Sequence, residues 1–146
     1  SNDDLPLLPD DLTGRDAIEL GCGTGYVSAW MRRRGARVVG LDNSAGQLET
    51  ARRLAAEHGL DDIEWIHGNA EVVDRPDGSF DFAISEYGAA IWCDPHVWIR
   101  EARRLLRPGR HEADTGENQP GAVRRRGARA LGRRSRTSRR APSRCP

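Results

Sequence analysis

Three glycines at alternate positions, Gly21, Gly23 and Gly25, follow directly on the short run Asp16-Ala17-Ile18-Glu19-Leu20. No other feature restricts the fold of this chain as much. A short apolar run bounded by turn residues reads as a buried strand, and glycines at every second residue let the backbone turn sharply out of it. Side chains at those positions would obstruct the turn and hold a ligand away from the backbone. Asp42 follows about 20 residues on, at the end of a second apolar run, the separation at which an acid reaches a nucleotide ribose. Dinucleotide sites space their glycines G-x-G-x-x-G, whereas here the third comes one residue early. The pattern predicts a strand, a glycine turn and a helix around a nucleotide-type crevice; the bland alternative is a tight turn that holds no ligand.

Short strand and helix patterns alternate through the first 109 residues. Residues 16–20, 37–41, 63–67 and 80–85 read as strands, and residues 24–34, 44–59 and 96–106 as helices. Ser44 and Gln47 have capping-box spacing, and Leu48, Ala51, Leu54 and Ala55 form a helical stripe that stops at Gly59. Arg107-Pro108-Gly109 closes the last helix, and residues 1–13 are a polar, Pro-punctuated lead-in. Such alternation specifies an α/β fold, a parallel sheet joined by right-handed crossovers.

Glu19, two positions before the first glycine, completes a motif that resembles the first motif of class I S-adenosylmethionine-dependent methyltransferases. Three further signals agree in order and spacing. Gly68-Asn69-Ala70-Glu71 is similar to the family's motif after strand three, Pro76-Asp77-Gly78-Ser79-Phe80-Asp81 to its approach to strand four, and Leu105-Leu106-Arg107-Pro108-Gly109 to its turn before strand five. The resemblance spans roughly residues 12–109 and is nearest the small-molecule branch called methyltransferase type 11. It implies a Rossmann-like open, mainly parallel sheet in the order 3-2-1-4, with strands five to seven due beyond strand four. It also implies S-adenosylmethionine as cofactor and a small-molecule methyl acceptor as partner.

By this resemblance Glu19 organises the amino-acid end of the cofactor, and Gly21, Cys22, Gly23 and Gly25 turn backbone N–H groups and a helix N-terminus toward it. Asp42 accepts both ribose hydroxyls with its two oxygens, and Asn43 reaches the adenine edge. Asn69 stands where the family often has Asp; its amide oxygen accepts from the adenine amino group beside the Ala70 N–H. Ser85 lies with Glu86, Tyr87 and Gly88 at the carboxyl end of strand four, on the crevice rim. Glu71 is expected in solvent. Glu86 and His96 are the candidate general bases, although methyl transfer is an in-line displacement governed by positioning and need not use one. Trp92, Cys93, Asp94, His96 and Trp98 read in two ways. They form a substrate wall, or Trp98 is core, Trp92 a loop plug and His96 a solvated first-turn residue.

Charge divides the chain in two. All 23 basic residues are Arg; residues 1–109 hold 12 of them against 19 acids, and residues 110–146 hold 11 against 3, so the net +1 conceals a negative and a positive segment. From residue 110 onward the only aliphatic side chains larger than Ala are Val123 and Leu131, just where strand five is due. Residues 110–146 are therefore expected to be an Arg-rich disordered tail that adds no core strand, leaving strand four as an edge of a partial domain at 14–109. The break after Gly109 reads as truncation or a change of reading frame in GC-rich DNA. The alternatives are a non-catalytic remnant with a partial cofactor crevice, and a nucleic-acid-binding protein acting through the tail, whose Arg residues have no aromatic neighbours. No apolar run approaches a membrane span and no signal pattern opens the chain, so a cytoplasmic location without a membrane partner is expected. Three Cys without a C-x-x-C pair and four scattered His predict no metal site and no disulfide framework.

Overall fold

A computed structural model describes residues 8–86 and 88–108 and the backbone of 122–123. Its elements are β1 (Asp16–Leu20), α1 (Tyr26–Arg33), β2 (Arg37–Asp42), α2 (Ala45–Glu57), β3 (Glu64–His67), β4 (Phe82–Ile84), α3 (Ala89–Trp92), α4 (Pro95–Leu105) and β5 (Ala122–Val123). The sheet runs β3-β2-β1-β4-β5. β1 through β4 are parallel, with Ile18 of β1 opposite Val39 of β2 and Ala83 of β4. The predicted order 3-2-1-4 and Rossmann-like α/β class are what the structure shows.

Strand alternation sorts the core into two layers. Ala17, Val38, Phe82 and Ile84 join Val27 and Met31 of α1 on one face of the sheet, while Ile18, Leu20, Val39, Leu41 and Ala83 join Trp98, Ala102 and Leu105 of α4 on the other. This period of two puts Glu19 on the α1 side, buried beneath the turn. Ser44 caps α2 by accepting from Gln47 N at 3.3 Å, as its spacing predicts. α3 occupies part of the segment between strand four and the last helix; the Ser85 hydroxyl accepts from Ala90 N at 3.2 Å within it.

The edge of β4 departs from the sequence expectation. Near its start, Phe80 N donates to Leu105 O at 2.9 Å and Arg107 N donates to Phe80 O at 2.8 Å, forming a single parallel bridge between Phe80 and Leu106. Farther along, Ala122–Val123 pair antiparallel, Val123 opposite Ala83 and Ala122 opposite Ile84. The expectation that nothing beyond residue 110 joins the sheet is thus corrected at two residues. An open edge offers unpaired N–H and C=O groups that any backbone can satisfy, whatever its side chains. Among the described residues no further strand follows, and the predicted disorder of the tail concerns positions that otherwise lie outside them.

The opposite end of the strands is held by charge. Arg107 Nη1 reaches Asp16 Oδ2 at 2.8 Å and Asp81 Oδ2 at 2.9 Å, and Asp16 N donates to the same Asp81 oxygen at 3.0 Å. This clamp ties the beginnings of β1 and β4 to the end of α4. No helix among the described residues is long and apolar enough to cross a membrane.

Candidate functional site

The carboxyl ends of β1 and β2 open on a cavity of about 460 Å³, lined among others by Glu19, Gly21, Gly23, Asp42, Glu86 and Trp92. A narrower lobe of about 40 Å³ adjoins it, walled by Leu41, Asn43, Gly68, Ala70, Ala89 and Cys93. Gly21, Asp42, Asn43, Gly88 and Trp92 border both. The larger space falls within the size range of small-molecule and cofactor sites.

The hydrogen bonds of the glycine turn differ from the sequence reading. Gly21 N and Cys22 N both donate to Leu41 O, at 2.7 and 2.9 Å, and Gly25 N donates to Cys22 O at 2.8 Å. Gly23 N donates to Asp42 Oδ2 at 2.8 Å, and Ser28 N, in the first turn of α1, donates to Glu19 Oε2 at 2.8 Å. These amides therefore do not face a ligand. Two of these donors, Gly23 N in the turn and Ser28 N in the first turn of α1, are held by the protein's own carboxylates rather than by a ligand.

The three glycines serve three purposes. A Cβ on Gly21 would lie 2.4 Å from Ala89 N, and one on Gly88 would lie 2.1 Å from Gly21 O, so the turn and the start of α3 touch backbone to backbone. Gly23, at φ +53°, has nothing within 4 Å of its Cβ position and borders open cavity. Gly25, at φ +81°, is a packing glycine: its Cβ would strike the Trp65 ring at 2.4 Å, away from the cavity. Of the three, Gly21 and Gly23 line the site and Gly25 supports it from behind.

Glu19 is 2% exposed. Burial pushes its carboxyl up to about 8, with Glu86 and Asp42 adding to the rise and the two hydrogen bonds from Ser28 opposing it. Asp42 is fixed at both oxygens, Oδ2 by Gly23 N and Oδ1 by Ser44 N at 2.8 Å. Each oxygen keeps acceptor capacity toward the cavity, because a carboxylate has about four lone-pair sites. Cys22 borders the larger cavity, but burial first, then Glu19 and Asp42, push its thiol up, which makes it unreactive.

Asn43 and Ala70 line the narrower lobe. Asn69 does not line either: its Oδ1 accepts from Glu71 N at 2.8 Å, in an Asx turn. Ser85, 1% exposed, likewise lies behind the cavity, with its hydroxyl on Ala90 N. Glu71, expected in solvent, is 3% exposed and accepts from Asp94 N at 2.9 Å, pinning the junction of α3 and α4. Of the two candidate bases, Glu86 lines the cavity. His96 is exposed in the first turn of α4, where its N–H donates to Asp94 Oδ1 at 2.9 Å, and it borders neither lobe. Trp98 is core as one reading had it, but Trp92 is no plug: it is 66% exposed at the junction of the lobes. Sequence reading missed Ser28, whose signal was a lone polar residue between Val27 and Met31 on a buried helix face. Among the described residues no cluster of three or more His, Cys, Asp or Glu could hold a metal ion.

Known proteins resemble this chain in sequence and fold. The chain is 37% identical over 97 residues to the malonyl-[acyl-carrier protein] O-methyltransferase of Serratia marcescens and 36% identical over 98 residues to the demethylmenaquinone methyltransferase of Clavibacter sepedonicus. These matches cover 66% and 67% of this chain but only 36% and 39% of those proteins. The chain thus spans less than half the length of these curated relatives. A crystal structure of an S-adenosylmethionine-dependent methyltransferase from Mesorhizobium loti superposes with a TM-score of 0.61 at 30% identity, covering 71% of this chain and 47% of that one. The 4+2 cyclase SpnF superposes with a TM-score of 0.62 at 30% identity, covering 66% and 36%. The family described as methyltransferase domain matches residues 17–109, a stretch that includes every residue named above as bordering either lobe. The chain belongs to that methyltransferase-domain family, whose cofactor is S-adenosylmethionine.

Proposed function

We propose that residues 14–109 form an S-adenosylmethionine site that serves methyl transfer to a small-molecule acceptor. One observation carries this reading: two amides of the turn and first helix that could otherwise meet a pyrophosphate, Gly23 N and Ser28 N, already donate to Asp42 and Glu19. With those donors committed, a pyrophosphate finds few amides here, whereas a ligand carrying an ammonium group and ribose hydroxyls finds acceptors in Glu19 and Asp42. The cofactor supplies a methyl group on a positively charged sulfur, which a nucleophile displaces in line. Glu19 faces the cationic amino-acid arm, Asp42 the ribose, and the lobe at Leu41, Gly68 and Ala70 the adenine. Glu86 and Trp92 form the opposite wall, where the acceptor approaches. Holding the two reactants together supplies most of the rate effect, so Glu86 positions the acceptor whether or not it takes a proton.

The fold alone would not support this reading, since SpnF, a fold neighbour, is named for a cyclisation. The Serratia relative is named for a malonyl-acyl-carrier substrate and the Clavibacter relative for demethylmenaquinone; a small acceptor for this chain is proposed by analogy with them. The test is calorimetric titration of the full chain with S-adenosylmethionine and, separately, with NAD. Binding of the first and not the second is expected. Asp42→Asn, which keeps an acceptor for Gly23 N but loses the charge, should weaken binding by about 1.5–3 kcal/mol. A preference for NAD, or equal affinity in Asp42→Asn, would overturn the assignment.

A further inference from the structure

Ser28 lies fully buried on the apolar face of α1 and borders neither lobe. A hydroxyl there is costly unless it finds a partner. It finds one together with its own backbone amide: Ser28 N donates to Glu19 Oε2 at 2.8 Å and Ser28 Oγ donates to the same oxygen at 2.6 Å. Two donors on one oxygen fix the rotation of the carboxylate. Among the described residues no hydrogen bond reaches Oε1, and Glu19 lines the larger cavity. The held oxygen faces the helix and the other is left for the ligand.

We propose that Ser28 is the positioning residue for the cationic end of the methyl donor, clamping Glu19 by Oε2 so that Oε1 meets the donor's ammonium group. This rests on the reading given under Proposed function. The groups around Glu19 make the clamp necessary. Glu86, after β4, and Asp42, at the end of β2, both disfavour a second negative charge, and the buried Cys22 thiol in the turn offers no counter-charge. Burial acts in the same direction and is the largest effect; Ser28 supplies the opposing hydrogen bonds that favour the ionised carboxylate. Removing the hydroxyl raises the Glu19 carboxyl further, so less of it is ionised at neutral pH. A cationic ligand selects the ionised form, so its affinity falls with that fraction.

The experiment uses the full chain and Ser28→Ala, with Ser28→Cys, a weaker donor of similar size, as the second variant. Carboxyl-carbon NMR follows the titration of Glu19 without ligand, and calorimetry gives the affinity for S-adenosylmethionine between pH 6 and pH 9.5. The Glu19 midpoint should move upward in Ser28→Ala and by less in Ser28→Cys. The ratio of variant to wild-type affinity cancels the ligand's own ammonium titration; it should show about a tenfold loss near pH 7 that shrinks as pH rises. An unmoved Glu19 midpoint, or an affinity ratio that is flat with pH, overturns the role of Ser28. A Glu19 midpoint that moves in the variants while the wild-type chain binds no S-adenosylmethionine at any pH overturns instead the donor reading, and the ligand half of the proposal with it.

Discussion

Gly23 and Gly25 belong to one motif yet should fail in different ways when given a side chain. At Gly25 a Cβ would sit 2.4 Å from Trp65 Cη2 and 2.9 Å from Cζ3, about 1 Å inside ordinary carbon contact. The ring cannot retreat over β2, because a Cβ on Gly40 would already lie 2.5 Å from Cζ3 on that side. Gly25→Ala therefore combines left-handed backbone strain, about 1–2 kcal/mol, with overpacking, about 1–3 kcal/mol, for a loss of about 2–5 kcal/mol. At Gly23 the space is open, so Gly23→Ala carries the strain alone, about 1–2 kcal/mol. Urea unfolding of the two variants measures the difference. Placing each substitution on a Trp65→Leu background closes a double-mutant cycle. Gly25→Ala should be partly rescued there, with a coupling of at least about 1 kcal/mol, while Gly23→Ala should show none. Calorimetry should show the reverse order for ligand: Gly23→Ala, whose methyl enters the cavity, should lose more affinity for S-adenosylmethionine than its stability explains. Equal unfolding midpoints, or no coupling between Gly25 and Trp65, would refute the division of labour.

Glu19→Gln should make the ligand-free chain more stable in alkali. The folded carboxyl titrates near 8 against an ordinary 4.5, so the folded state holds a proton that the unfolded state has released. That contribution is fully present below about 4.5 and is lost as pH rises through about 8, a span worth on the order of 5 kcal/mol. Thermal melts of both proteins from pH 5 to pH 9.5 should converge at the acid end and separate in favour of Glu19→Gln at the alkaline end; parallel curves would contradict it. Arg107→Ala should cost about 1–3 kcal/mol in urea, discounted for the partial exposure of the guanidinium, because it leaves Asp81 buried without its cation. Its affinity for S-adenosylmethionine should not change, since the clamp lies at the other end of the strands from the crevice.

The parts of this molecule that were legible in its sequence are those fixed by local period. β1, β2 and the capped α2 could be read because alternation, helical spacing and the Ser44 cap each act within a few residues, and Glu19, Gly21, Gly23, Asp42, Asn43 and Ala70 were all brought to the crevice. The misses were competitions settled at a distance or by a neighbour. Asn69 lies outside both lobes in its own Asx turn with Glu71 N, and Glu71 is buried where α4 begins beside it. His96 is exposed in the first turn of α4, away from both lobes. Ala122–Val123 join the sheet through backbone pairing, which hydropathy does not report.

The commitment of the turn's donors to Glu19 and Asp42 has an evolutionary reach. These two acids line the crevice, and they also satisfy Gly23 N, Ser44 N, Ser28 N and the Ser28 hydroxyl. A lineage drifting toward a phosphate-bearing cofactor would have to shed the negative charge, and each donor orphaned on the way would cost about 1–3 kcal/mol. A domain with only a few such losses to spare would unfold before it could bind the new ligand. On the proposed reading, cofactor identity in this crevice is inherited with foldability, because the carboxylates that would receive the methyl donor are the ones that hold the turn together.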